Sequence, residues 1–536
     1  MPNDSKKSVF TRDSTGLVKS ISAIDVLSFT FLAAGPIVLI ALGVLTLPAI
    51  YEGTNLYLIF GISIVLLLAL AYNTAALASA MPRAGGDYVF GSRVIHPIWG
   101  MIPSFMVLFS FVVGIGTLAV VSLEAFVGPA FITSYPQYLN TILSLIYTSP
   151  LNLSIIAGVV LALIFGLAIG STKGWFWFLR IVSIYGFIMI LVFFGYLLTT
   201  SHQTILNNYD SQMATGLSSS QVIANATSAG WSSSVPSSAL STAGAMIFVF
   251  FFLAAPISAY FASEIKNTAR SMTIGVLGGT VISWLIAMAG ILAVVGAFGY
   301  NFMSAFGFLG LMNPATASTG AFNVNALVLA VVGNPTVAFL IGIGFALATL
   351  GLVAAPMLPA SRILFAWSFD RLIPAKFASV SDRTHTPAFA LGIVAILTII
   401  VAALDAFYSS ALGSFLATTL IVSIAFLPNG VTAAVLPFRR KDVYDMAPGL
   451  VKKKIGGLPL LTLSGLVHAV GFLVLIVLVF LEPSAAGTST GQISVGALAI
   501  ILVGLLISIF FYPLAKAVRK GSGIDLGLAF KEIPPE

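Results

Sequence analysis

Cysteine is absent from all 536 residues, and charge is almost as scarce, with Asp, Glu, Lys and Arg making up only 8%. Without thiols there are no disulfides, no thiol nucleophile and no thiolate metal site, although the lack of them fixes no compartment. A soluble domain carries about 25% charged residues, so a soluble reading fails. Neither a phosphate-binding glycine loop, nor a metal-ligand cluster, nor a nucleophile–base pattern can be found, which argues against a membrane enzyme. The first twenty residues are polar and the first apolar run is too long for a signal-peptide core, so no cleavable leader is expected.

What fills the chain is apolar: 59% hydrophobic residues and a mean hydropathy of +1.07. Roughly 20 apolar residues in a helix cross a bilayer, and the pattern predicts an all-α polytopic membrane protein of about twelve spans. They are expected at 22–49, 57–80, 97–126, 151–170, 175–200, 242–265, 273–297, 335–358, 388–404, 410–436, 458–481 and 493–515. Residues 300–333, broken by glycines and Asn-Pro pairs, read as an external loop with short helices.

Positive charge is missing from every second loop. All 24 Lys and Arg lie in the termini, in alternate loops or just inside adjoining helix ends, while 50–56, 127–150, 201–241, 298–334, 405–409 and 482–492 hold none. The positive-inside rule then places both termini in the cytoplasm, and a plasma-membrane location is expected. The net charge of +7 is thus topological and implies no nucleic-acid partner. The clusters 439–441 and 452–454 could touch anionic lipid, though topology alone explains them. The organisation expected is a tail (1–21), a first half (22–200), an external Ser/Asn-rich and loosely structured linker (201–241), a second half (242–436), two more helices (437–515) and a short tail (516–536). Asn225-Ala-Thr227 is a formal glycosylation sequon in the linker.

Two stretches echo each other: Phe29-Thr-Phe-Leu-Ala-Ala-Gly-Pro-Ile37 and Phe250-Phe-Phe-Leu-Ala-Ala-Pro-Ile257. Proline removes an N–H and clashes with the carbonyl four residues back, so each apolar helix should break there. Inside a membrane such a break is tolerated only where protein buries it or a cavity adjoins it. The first and sixth spans also run in opposite directions, as an inverted repeat demands, and paired breaks point to a transporter's binding site. Candidate substrate-binding residues are therefore Ala33, Ala34, Gly35, Pro36, Phe250, Phe252, Leu253, Ala254, Ala255 and Pro256. Freed N–H groups suit a carboxylate and freed carbonyls an ammonium, so an amino-acid zwitterion needs no charged side chain. Two ordinary proline kinks are the plain alternative.

Ala78-Ser-Ala-Met-Pro-Arg-Ala-Gly-Gly-Asp-Tyr88, Glu264-Ile-Lys-Asn-Thr-Ala-Arg270 and Ser361-Arg-Ile-Leu-Phe-Ala-Trp-Ser-Phe-Asp-Arg-Leu-Ile-Pro374, followed by Thr386-Pro387, occur in that order. Together they resemble the motifs of the amino acid–polyamine–organocation permeases over residues 20–390. The second has Thr268 where the family pattern has proline. The resemblance implies a five-plus-five inverted repeat with substrate held where helices one and six unwind. Some proton-coupled relatives carry a lysine in helix five, where this chain aligns Gly186. Sodium-coupled relatives place hydroxyls in the inner half of helix eight, where only Thr349 is near. The coupling ion, H+ or Na+, stays open; no cofactor and no metal site are expected, and the oligomeric state is undetermined.

Other residues rank lower. Asp25, Asp370 and Arg362 fall at the cytoplasmic ends of helices one and eight and form a candidate inner gate, with solvated helix ends as the alternative. Glu124 is a candidate proton site or an interfacial carboxylate. His468 reads as a hydrogen-bonded core histidine, and Gly114-Ile-Gly116 as a helix-packing feature. The leading expectation is a secondary transporter for neutral amino acids; a polyamine or organic-cation carrier and a non-transporting amino-acid sensor are the alternatives.

Overall fold

The structure is a computed structural model and describes residues 16–51, 53–212, 215–233, 239–254, 256–312, 321–408, 411–481, 495–521 and 526–530. Among them, eleven helices are long and apolar enough to cross a membrane. They are Ala23–Ile50, Leu56–Ala80, Pro97–Ser134, Pro150–Gly170, Thr172–Thr199, Thr268–Phe298, Pro335–Phe369, Ala388–Tyr408, Leu420–Arg439, Leu460–Leu478 and Leu498–Lys520. The expected sixth span is helical only over Ala239–Leu253, because proline and two successive 3-10 turns interrupt it. Counting that broken helix in sixth place, the spans are numbered 1 to 12 below. The protein is an all-α polytopic membrane protein; among the described residues the only sheet is a two-residue β-ribbon, Lys454–Ile455 against Leu458–Pro459.

Burial sorts the spans into a core and a rim. The most apolar window of span 1 is 94% buried, whereas those of spans 5, 9 and 12 are 28% buried. Leu163, Ile181, Leu198, Leu502 and Phe510 stand exposed on the rim. Exposed leucines at that density would cost a soluble protein dearly, but they suit hydrocarbon.

The described part of the segment 201–241 is not loosely structured. It holds helices His202–Gln212 and Ser219–Ser228, the second closed by a capping box between Ser218 and Gln221. Ile205 and Tyr209, and likewise Val222 and Ala226, lie four residues apart and are buried. A one-sided apolar stripe of this kind is easily lost among the surrounding serines and asparagines. Tyr209 packs edge-on against Phe302 and Phe306 of helix Tyr300–Leu311. The Trp231 indole donates to Ser304, whose hydroxyl donates to the Pro48 carbonyl at the end of span 1. The region between spans 7 and 8 likewise contains short helices, Tyr300–Leu311 and Val324–Val332.

Candidate functional site

Span 1 stops at Ala34 and restarts at Pro36. Between them Gly35 is left-handed (φ 51°, ψ 41°), and its N–H turns back to the Leu32 carbonyl at 3.0 Å. Glycine tolerates that conformation without a Cβ penalty, and Pro36 takes the first helical position, where a missing N–H costs nothing. In span 6 the helix ends at Leu253, and after Pro256 the chain advances as 3-10 turns, Ile257–Tyr260 and Ala262–Glu264. Ala255 lies outside the described residues. The two interruptions are adjacent: a Cβ on Gly35 would sit 3.6 Å from the Phe252 ring and 3.1 Å from Leu352.

A cavity of about 80 Å³ lies against both breaks. Ala33 of span 1 and Phe252, Ala254 and Ile257 of span 6 form part of its wall. Span 3 supplies Ser110, Phe111, Gly114, Ile115 and Leu118; span 8 supplies Leu352 and Pro356, and span 10 supplies Val422 and Phe426. None of these residues is charged. Of the other candidates, Phe250 turns away to stack edge-on against Phe472 of span 11, while Ala34, Gly35, Pro36, Leu253 and Pro256 belong to the breaks but not to the cavity lining.

Sequence reasoning passed over the span 3, 8 and 10 walls. A signal existed, since Ser110/Gly114/Leu118, Leu352/Pro356 and Val422/Phe426 recur at one helical turn. Yet every apolar face of a buried helix carries such a stripe, so only packing selects the one that faces the cavity. Gly114 is the clearest case. The reading of Gly114 and Gly116 as one packing feature holds only for Gly116, where a Cβ would meet Val401 and the Thr398 carbonyl within 2.8 Å. At Gly114 a Cβ would meet nothing within 4 Å.

The three candidate gate residues all form ion pairs at the Lys/Arg-rich end, but with partners far off in sequence. Asp25 caps its own helix through Ser22 and is bound by Arg180 of span 5. Arg362 grips Glu264 with two parallel bonds of 2.8 and 2.9 Å, and both side chains are buried. Asp370 accepts from Arg93 and from the Tyr88 hydroxyl. Backbone pairing of Ser20 and Ile21 with Glu264 and Lys266 joins the start of span 1 to the end of the broken span 6. Ala529 and Phe530 cover Arg93, with the guanidinium 4.9 Å from the Phe530 ring centre.

Glu124 sits in a π-helical turn, Leu123–Val127, half-buried. Six residues beyond Leu118, it lies about 9 Å further along the helix, away from the cavity. His468 is buried in span 11 and shares a hydrogen bond with Asn73. Thr349 spends its hydroxyl on the Phe345 carbonyl of its own helix. At Gly186 a Cβ would meet Ile37 at 3.0 Å, so span 5 packs closely against the resumed half of span 1.

Residues 24–517 match the family model described as amino acid permease. The chain belongs to that family. Among curated proteins, the cationic amino acid transporter 3, mitochondrial, of Arabidopsis thaliana is 28% identical over 146 residues. That stretch covers 27% of this chain and 21% of the relative.

Proposed function

We propose that the protein is a secondary transporter that moves neutral amino acids across the plasma membrane by alternating access, with both termini cytoplasmic and no enzymatic step. The observation that carries this is the cavity at the paired helix breaks, whose lining holds no charged side chain. Backbone groups freed at the breaks would receive the ammonium and carboxylate, leaving the side chain to the apolar wall. The lining is almost wholly apolar, which favours an apolar side chain. The five-plus-five repeat is part of this reading and is supported by the matching breaks in spans 1 and 6.

The Arabidopsis relative, named a cationic amino acid transporter, favours a second reading, transport of cationic amino acids. Against it stands the cost of desolvating a side-chain charge without a partner, several kcal/mol after relaxation. Proteoliposome counterflow with the labelled amino acids, followed by competition with alanine, leucine, arginine, glutamate and putrescine, decides between them. Alanine or leucine should compete best, and decarboxylated analogues poorly. If arginine or putrescine leads, the neutral-zwitterion pocket is wrong. Absence of counterflow with every amino acid would leave the sensor alternative.

A further inference from the structure

Among the described residues, Asp87 is the one carboxylate of the Lys/Arg-rich end that is buried among polar but uncharged partners. It is 2% exposed and accepts a hydrogen bond from the Tyr260 hydroxyl, with the Asn429 amide as its second polar neighbour. The other charges around it are committed elsewhere. On its own helix (Asp87–Val94), Arg93 pairs with Asp370; from span 8, Arg362 pairs with Glu264, which belongs to the span 6 tail. From span 10, Arg439 bonds the Ile95 carbonyl, while Arg440 bonds Asp442 and the Arg93 carbonyl. Arg83 in the preceding loop donates to the Pro82 carbonyl. Span 3, packed alongside, has no charged residue between Pro97 and Leu123.

The loop bearing Asp87 is fastened to the broken span. Gly85 N–H donates to the Tyr260 carbonyl at 2.9 Å, and Ala84 bridges to Phe261. Two routes join this clamp to the cavity. Phe111, a lining residue, packs edge-on against the Tyr260 ring at 6.0 Å. Phe426, also lining, precedes Asn429 by three residues on the same helix.

We propose that Asp87 is a proton-binding site, loaded while the clamp is closed and emptied when the Lys/Arg-rich end opens to water, so that proton and solute leave together. This rests on the transport reading above. Burial pushes the carboxyl up to about 6, with the bonds from Tyr260 and Asn429 pulling it part of the way back. In water it would return to the ordinary carboxylate range near about 4. Between those values the closed arrangement binds the proton and the open one releases it, so protonation favours closure and rising pH favours opening. Coupling is full in that acid window and fades as the pH climbs through the upper value.

The test begins with purified protein in nanodiscs, titrated by infrared difference spectroscopy. Wild type should show a carboxyl band with a midpoint near 6 that Asp87→Asn lacks. Tyr260→Phe, which removes a bond favouring the ionised form, should move the midpoint upward. In pyranine-loaded proteoliposomes given a mixture of the twenty amino acids, wild type should acidify the lumen during uptake. Asp87→Asn should keep counterflow but lose acidification. A band titrating near about 4, a Tyr260→Phe midpoint that does not rise, or undiminished acidification in Asp87→Asn overturns the proposal. Should Asp87→Asn misfold, the Tyr260→Phe shift still decides. Loss of counterflow with all amino acids in wild type would instead strike the transport reading, leaving the infrared result to stand separately.

Discussion

Arg362 and Glu264 show how a charge survives deep in an apolar molecule. Arginine's planar fork matches the carboxylate with two bonds, and both side chains are nearly sealed from solvent. Such a pair contributes little net stability compared with a well-packed apolar substitute, but removing one partner strands the other. Arg362→Met should therefore destabilise the protein by about 3–5 kcal/mol, read as a drop in the thermal midpoint of detergent-solubilised protein. The double variant Arg362→Met/Glu264→Leu should recover most of that loss. A recovery of nothing would mean that the pair also holds the backbone join of Ser20 and Ile21 to Glu264. The sequence marks Arg362 as notable through its motif, but Glu264 lies 98 positions away, and no local pattern names such a partner. Asp25 and Asp370 repeat the lesson, since their arginines, Arg180 and Arg93, come from other elements.

At the scale of the element, the helix breaks were legible and the cavity wall was not. Proline and glycine act through the local backbone, so Gly35-Pro36 and Pro256 signal interruptions, even though Pro103 and Pro428 lie inside helices that continue through them. Lining is a property of packing: Phe250 and Phe252 belong to one aromatic run, yet one meets Phe472 and the other the cavity. The linker misreading has a related cause, because buried Ile205, Tyr209 and Val222 are few among many polar neighbours. Span 3 offers the sharpest element-level test. Gly116→Ala drives a methyl into Val401 and the Thr398 carbonyl, so it should destabilise by about 1–3 kcal/mol through overpacking. Gly114→Ala meets only open space and should fold as wild type. There the methyl takes cavity volume instead, so leucine should lose competition by roughly tenfold, about 1.4 kcal/mol, while glycine is little affected. Equal melting losses in the two variants would remove Gly114 from the cavity.

The whole molecule is asymmetric in charge, and that asymmetry carries the orientation. Among the described residues Lys and Arg gather at one end, where Arg93, Arg180 and Arg362 are locked in ion pairs, while the helices 202–212 and 219–228 cap the other end without a single Lys or Arg. Insertion machinery retains positive loops on the cytoplasmic side, so the capped end should face outward. The lack of any native cysteine makes this directly measurable, because each introduced thiol reports alone. Structure also guides the choice of sites. Ser219 donates to Asp210 and is only partly exposed, whereas its neighbour Ser220 is exposed, as is Lys376 at the basic end. Ser220→Cys should react with a membrane-impermeant maleimide in intact cells. Lys376→Cys should react only after permeabilisation, because reaching it from outside would require the reagent to cross the bilayer. The reverse labelling would invert the molecule, and Asp87 would then exchange its proton with the external medium instead of the cytoplasm.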